Sequence, residues 1–157
     1  MRVLIDADAT IKLHRSGVLA RLVDAFHCVM PQSVYDEIVT QGKERMHQDA
    51  ETIEATIAGA VTIVQTLEHQ QPEMGLGDGE LGILDALGKE TDPIVVSDDR
   101  RFLTLLTMRG IPFLTPADVL VLLSRQNIIT RAEAIEALEH LRPLIRIAAY
   151  HEAREDL

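Results

Sequence analysis

Val3-Leu4-Ile5-Asp6-Ala7-Asp8 decides how this chain is read. A short apolar run bounded by polar residues reads as a strand buried on both faces, of the kind found in the middle of a parallel sheet. Its carboxyl end opens at the edge where open α/β sheets bind ligands, because the loops leaving the strands diverge there into a crevice. An acid at that point is placed for metal or phosphate chemistry. The competing role for either aspartate is to cap the helix that follows. Apolar spacing puts the start of that helix near Ile11, which makes Asp8 the better cap and leaves Asp6 too early for the task.

Outward from this strand, short apolar runs alternate with helical periodicity. A helix over residues 11–25, interrupted at Ser16-Gly17, leads to a strand over 27–30. Pro31 suits the first turn of a helix running to about Thr40 and stopped by Gly42; on it Val34 and Ile38 face the core, and Glu37 is offset by one from their stripe. A polar helix over 48–58 precedes a strand over 61–64. Residues 65–79 read as a loop of the length at which loops tend to carry function. A helix over 80–89, a strand over 94–97, a helix over 102–108 and a Pro-containing edge strand over 111–114 follow. The remainder is helical: 117–125, then 130–141 opened by a Thr130–Glu133 capping box, then an amphipathic piece over 143–150. Strands alternating with helices predict βαβ units, hence an α/β fold with a mostly parallel sheet.

Composition narrows the class. The chain has 157 residues, the size of one domain with a sizeable core. Hydrophobic residues make up 46% and aromatics 3%, so the core must be built from Leu, Ile, Val and Ala, as suits helices on a parallel sheet. No apolar run approaches the roughly 20 residues a membrane helix needs, and the amino terminus reads as a strand rather than a signal peptide; a cytoplasmic protein without membrane contact is expected. Cys28, the single cysteine, reads as a small core residue. Twenty-five acidic residues against fifteen basic ones give a net charge of −10, which argues against binding nucleic acid through Lys and Arg alone. A divalent ion held by converging carboxylates would invert the local field and turn an acidic pocket into a phosphate site.

Such a cluster is available. Asp6 and Asp8 follow the first strand, Glu37 lies on the helix after the second, Glu80 opens the helix after the glycine-containing loop, and Asp98 and Asp99 follow the fourth strand. Residues leaving parallel strands emerge at one edge, so acids far apart in sequence meet in one crevice. Mg²⁺ and Mn²⁺ prefer hard oxygen ligands, and such ions activate water and stabilise the leaving oxygen of a phosphodiester. Read singly, each acid is better explained as a cap or a solvated charge; their joint placement carries the inference.

Leu4-Ile5-Asp6-Ala7-Asp8, Pro31-Gln32-Ser33-Val34-Tyr35-Asp36-Glu37-Ile38, Leu76-Gly77-Asp78-Gly79-Glu80 and Ile94-Val95-Val96-Ser97-Asp98-Asp99-Arg100-Arg101-Phe102 fall in the order of the motifs of PIN domains. The chain thus resembles these small metal-dependent nucleases, which include the VapC-like toxins of toxin–antitoxin pairs, over residues 1–125. The resemblance implies a three-layer α/β/α sandwich, cleavage of single-stranded RNA with Mg²⁺ or Mn²⁺, catalytic roles for Asp6, Glu37, Glu80 and Asp98, and metal ligation by those four acids with Asp99 as an alternative or addition to Asp98. It also implies an antitoxin partner if the chain is such a toxin. Two departures stand out: Asp8 occupies a position where the family usually has a small hydroxyl or amide residue, and the third acid is Glu80 in a Gly-rich turn, with Asp85 as a possible substitute. Residues 126–157 then form a C-terminal helical extension, packed on the same domain or at a dimer interface. Its apolar positions Ala134, Leu138, Leu141, Leu144, Ile145 and Ala148 favour a homodimer, symmetric dimers being the commonest soluble oligomers.

Other signals compete. Asp6-Ala7-Asp8-Ala9-Thr10 resembles the start of haloacid-dehalogenase-like phosphatases, with Asp6 as nucleophile, Asp8 as general acid and Lys89 as the required lysine, but this leaves Glu37 without a role. Gly77-Asp78-Gly79-Glu80-Leu81-Gly82 spells a dinucleotide-binding pattern, yet its two acids would face a pyrophosphate. A receiver domain lacks its isolated third-strand aspartate. The six histidines show no metal-ligand spacing. Arg100 and Arg101 read first as an exposed charge pair and second as phosphate contacts. A non-catalytic PIN-fold module binding protein or RNA is the remaining alternative, favoured by the net charge and disfavoured by the full acidic set.

Overall fold

In the computed structural model, which describes residues 1–66 and 75–157, strands β1 (Arg2–Ile5), β2 (His27–Pro31), β3 (Val61–Val64), β4 (Pro93–Val96) and β5 (Phe113–Leu114) form one sheet in the order β3-β2-β1-β4-β5. Every pairing is parallel. Val3, Leu4 and Ile5 are each at most 1% exposed. Successive strand residues point to opposite faces, so the burial of all three means that helices cover β1 from both sides. The layered α/β architecture expected from the sequence is the one observed.

The chain steps outward from β1 to β2 to β3, then returns to β4 on the other flank of β1. The reversal therefore lies between β1 and β4, and crevices at the carboxyl ends of strands open at such points. Register joins Ile5 to Val96, and the Asp6 N–H donates to the Val96 carbonyl at 3.1 Å. The residues that follow the two strands are consequently neighbours.

Helix boundaries differ from expectation in ways that matter for the pocket. Helix α1 (Ala7–Arg15) begins directly after β1, not near Ile11, because Asp6 takes the extended backbone of a cap and accepts a hydrogen bond from the Ala9 N–H. Asp6, not Asp8, is thus the cap. Gly17 then takes the left-handed conformation, with φ +82°, and the Val18 N–H reaches back to the Leu13 carbonyl, which closes α1 before α2 (Leu19–Ala25). After β2, helix α3 (Gln32–Tyr35) passes into a π-helical turn (Asp36–Thr40) and on into α4 (Gln41–Glu44), so Gly42 does not end the helix. A side chain at Gly42 would stand 3.1 Å from the Ala50 Cβ, so this glycine permits the close approach of α5 (Ala50–Ile57). Part of the expected 65–79 loop, residues 67–74, lies outside the described residues.

Helix α6 (Asp78–Leu87) starts two residues before its expected position. The glycines of the dinucleotide-like pattern have a packing function here. A Cβ at Gly82 would meet the Ser33 Oγ at 2.3 Å and the Pro31 Cβ at 3.0 Å, so only glycine lets α6 lie against the β2–α3 junction. Helices α7 (Arg100–Met108), α8 (Pro116–Arg125), α9 (Arg131–Leu141) and α10 (Ile147–Asp156) complete the chain. Thr130 and Glu133 form the expected capping box. The last helix is displaced from 143–150 because Pro143 and Leu144 lie in a turn closed by the Leu144 N–H on the Leu141 carbonyl. Ala134, Leu138 and Leu141 are fully buried within this one chain, whereas Leu144 and Ile145 are half-buried and Ala148 is exposed. Among the described residues no helix is long and apolar enough to cross a membrane.

The Gly82 contact supplies a test of the packing. The Ser33 hydroxyl is buried without a hydrogen-bond partner among the described residues, so it has nothing to lose by removal. Gly82→Ala should cost about 1–3 kcal/mol through overpacking. Adding Ser33→Ala should recover part of that loss by removing the nearer obstacle, although Pro31 remains. Denaturant melts of the two single variants and the double variant measure this coupling, and strictly additive effects would contradict it.

Candidate active site

A cavity of about 210 Å³ opens at the β1–β4 switch point, lined by Asp6, Ala7, Asp8, Glu37, Gly79, Glu80, Asp98, Asp99 and Arg100. All five sequence-derived site acids, Asp6, Glu37, Glu80, Asp98 and Asp99, line it; Asp85, the alternative to Glu80, does not. Lys89, the lysine a phosphatase reading would need, donates instead to the Gln65 carbonyl at 3.4 Å and does not line the cavity.

The acids arrive on different devices. Asp6, at 6% exposure, is the most deeply placed as a residue. One of its oxygens, Oδ1, accepts from the Ala9 N–H at 2.7 Å, and the Ser97 hydroxyl also bonds to its carboxylate. Burial outweighs these donors: it pushes the Asp6 carboxyl from 3.8 up to about 7, with the negative charges of Asp8 and Glu80 adding to the rise. Asp99 caps α7 through Oδ1, which accepts from the Phe102 N–H at 2.7 Å. Glu80 folds back on its own helix, its Oε2 accepting from the Gly77 N–H at 2.6 Å. Glu37 is exposed on the π turn. Partial desolvation, and then the charges of Glu80 and Asp8, hold its carboxyl above the usual range. A side chain at Gly79 would come within 3.2 Å of the Glu37 Oε2, so the glycine keeps room for that acid.

Asp98 differs from its neighbour. Its side chain is 4% exposed, Oδ2 accepts from the Lys12 Nζ at 2.6 Å, and Oδ1 is buried with no partner among the described residues. A buried carboxylate oxygen without a donor is costly and points to a missing cation or water. The same Lys12 ammonium bonds the Asp8 Oδ2 at 2.6 Å. Burial lowers the Lys12 pKa, but the two carboxylates outweigh it and leave the ammonium more firmly protonated than a free lysine.

Lys12 and Ser97 were not recognised from sequence as site residues. Lys12 had one available signal, its i+4 spacing from Asp8 on the same helix. Ser97 had none beyond standing next to the aspartate pair. Cys28 is fully buried and its thiol is pushed up to about 12 by desolvation, which leaves it inert.

The donor set is entirely hard oxygen, the kind preferred by Mg²⁺ and Mn²⁺. Among the described residues no three His, Cys, Asp or Glu side chains stand close enough to form a ready-made metal cage. Asp6, Glu80 and Asp99 each have an oxygen on a backbone N–H, and Asp98 has one on Lys12. Each carboxylate has a second oxygen, and the buried Asp98 Oδ1 in particular has no partner among the described residues. The carboxylates of Asp6, Glu37, Glu80, Asp98 and Asp99 are the groups that would hold a divalent ion, and their chemistry suits one.

Burial of Asp6 has a measurable consequence without any metal. Its folded pKa lies above the unfolded value, so between about pH 4 and 7 the native state binds more protons than the unfolded one, and stability falls as pH rises through that window. In chelator, the contribution of this group to stability should be greatest at and below about pH 4 and should be lost as the pH rises towards 7. Asp6→Asn should flatten this part of the profile and stabilise the protein at pH 7.5 by roughly 1–4 kcal/mol. Chemical melts at pH 4.5 and 7.5 test this, and an equal pH response in both proteins would contradict it.

No curated protein matches this chain. A family model described as PIN domain matches residues 2–154, a span that includes α8, α9 and α10 as well as the sheet and its acidic pocket. PIN domains are generally nucleases and typically use divalent metals. The parallel sheet, the order of the acidic motifs and this match agree, and the chain belongs to the PIN-domain family.

Proposed function

We propose that the protein is a Mg²⁺- or Mn²⁺-dependent endoribonuclease acting on single-stranded RNA. The observation that carries this reading is the convergence of Asp6, Glu37, Glu80, Asp98 and Asp99 on one cavity at the sheet's switch point, with the Asp98 Oδ1 buried and without a partner among the described residues. A divalent ion in that cavity would supply the charge that makes water nucleophilic near neutral pH and stabilises the leaving oxygen of a phosphodiester.

On this reading the chain's own residues divide the work. Asp6, Glu37, Glu80 and Asp98 hold the ion. Asp99 caps α7 and so fixes the loop that presents Asp98, while its second oxygen remains available as a ligand. The Ser97 hydroxyl orients the Asp6 carboxylate and accepts from the Asp99 N–H at 3.2 Å, tying the two acidic strand ends together. Arg100 in the cavity is the cation placed to contact the scissile phosphate. Arg45 lines a second cavity that shares Glu37, and it would place a further cation beside the strand flanking the scissile phosphate. This local arrangement offsets a net charge that otherwise repels RNA. A toxin held in check by an antitoxin protein, working as a cytoplasmic homodimer, is the cellular role that follows from the same reading.

Asp6→Asn and Asp98→Asn should each reduce Mn²⁺-dependent cleavage of single-stranded RNA by at least about 100-fold while the fold is retained. Arg100→Ala should raise KM more than it lowers kcat. Wild-type protein that cleaves no RNA with either metal would favour a non-catalytic binding module. Phosphatase activity lost on Asp6→Asn would favour the dehalogenase-like alternative.

A further inference from the structure

Lys12 is bonded to two of the acids that line the cavity, Asp8 and Asp98. Its side chain is 15% exposed, and its Nζ stands 2.6 Å from the Asp8 Oδ2 and 2.6 Å from the Asp98 Oδ2. The arrangement is local in origin. Asp8 is in the first turn of α1 and Lys12 is one turn on, so the pair forms along the helix, and the ammonium then reaches across to the end of β4. Asp98 is thereby divided: one oxygen is bound to an ammonium, and the other is buried with no partner among the described residues.

An ammonium and a divalent ion compete for the same hard carboxylate oxygens. A pocket of acids can hold two ions only if enough oxygens are free to surround both, since affinity follows ligand number and charge. Here the oxygens of Asp8 and Asp98 that face each other are already bridged by a covalently attached cation. We propose that Lys12 is a built-in counter-ion occupying the carboxylates a second divalent ion would need, so that the pocket takes one Mg²⁺ or Mn²⁺ per chain. This rests on reading the cavity as a divalent-metal site. Lys12 is a positioning residue in that scheme: it holds the Asp98 carboxylate so that Oδ1 is presented to the ion, and it neutralises Asp8, which would otherwise add uncompensated charge.

Calorimetric titration of the full chain with Mn²⁺ tests the inference. Wild type and Lys12→Arg, which keeps the charge, should bind one ion per chain, and Lys12→Met should bind two, because both carboxylates are released. Two ions in the wild type, or a single ion in Lys12→Met, would overturn it. A purely structural ion pair would lower the stability of Lys12→Met without changing the number of ions.

A second measurement needs no variant. The chain has three lysines, Lys12, Lys43 and Lys89, so lysine side-chain labelling gives a spectrum simple enough to follow. The Lys12 ammonium signal should hold its bonded position through saturation with Mg²⁺; collapse to the free-lysine position would overturn the inference even if Lys12→Met failed to fold. Absence of divalent binding in every form would instead remove the nuclease reading itself, whereas two ions in the wild type would remove only the role of Lys12.

Discussion

A carboxylate buried at the end of the central strand is the constraint around which this structure is arranged. An isolated charge in such a place is expensive, and a protein either neutralises it or surrounds it with donors and cations. Around Asp6 both responses operate. Its carboxyl is pushed towards neutrality, and the Ala9 N–H and Ser97 hydroxyl bond it. Helices α1, α6 and α7 all begin at the cavity, so three positive dipole ends face the acidic cluster. The immediate start of α1 after β1 is part of the same solution. A loop of four residues before the helix, as apolar spacing suggested, would have left Asp6 without its backbone donor.

Capping a helix and lining the cavity are not alternatives for these acids. A carboxylate has two oxygens, and a cap uses one. Asp6 and Asp99 both cap helices through Oδ1 and still line the cavity, so the cap fixes the rotamer without taking the residue out of the pocket. Weighing cap against ligand residue by residue therefore undervalues such positions. The adjacent pair divides labour: Asp99 secures the helix, while one Asp98 oxygen has no partner among the described residues.

The strands were legible because a buried parallel strand is written as an uninterrupted apolar run, as in Val3-Leu4-Ile5 and Ile94-Val95-Val96, and the run ends where the strand ends. The acids at their ends were legible for the same reason. Less visible was whatever depended on contacts between elements. The π turn that carries Glu37 buries both Ile38 and Val39 by adding a residue to one turn, and no residue in it announces the change. Gly42 reads as a stop but permits close packing against Ala50, and Gly82 reads as part of a phosphate loop but lets α6 approach Ser33. Lys12 escaped notice because half of its meaning lies 86 residues away, at Asp98.

Charge links the pocket to its proposed substrate. A chain of net charge −10 whose cavity is lined by carboxylates repels a polyanion, and Arg100 and Arg45 lie at the margins of that field. A divalent ion would reverse the sign where it matters most, so metal and RNA should assist each other's binding, and linkage requires the assistance to be mutual. Affinity for a single-stranded oligonucleotide with an uncleavable backbone should accordingly rise by about tenfold or more between chelator and saturating Mn²⁺, with metal affinity rising by the same factor when the oligonucleotide is present. Fluorescence anisotropy at fixed ionic strength measures the first and calorimetry the second. Equal RNA affinity with and without the ion would mean that the marginal arginines bind the strand unaided, and that the acidic cavity does not take part in recognition.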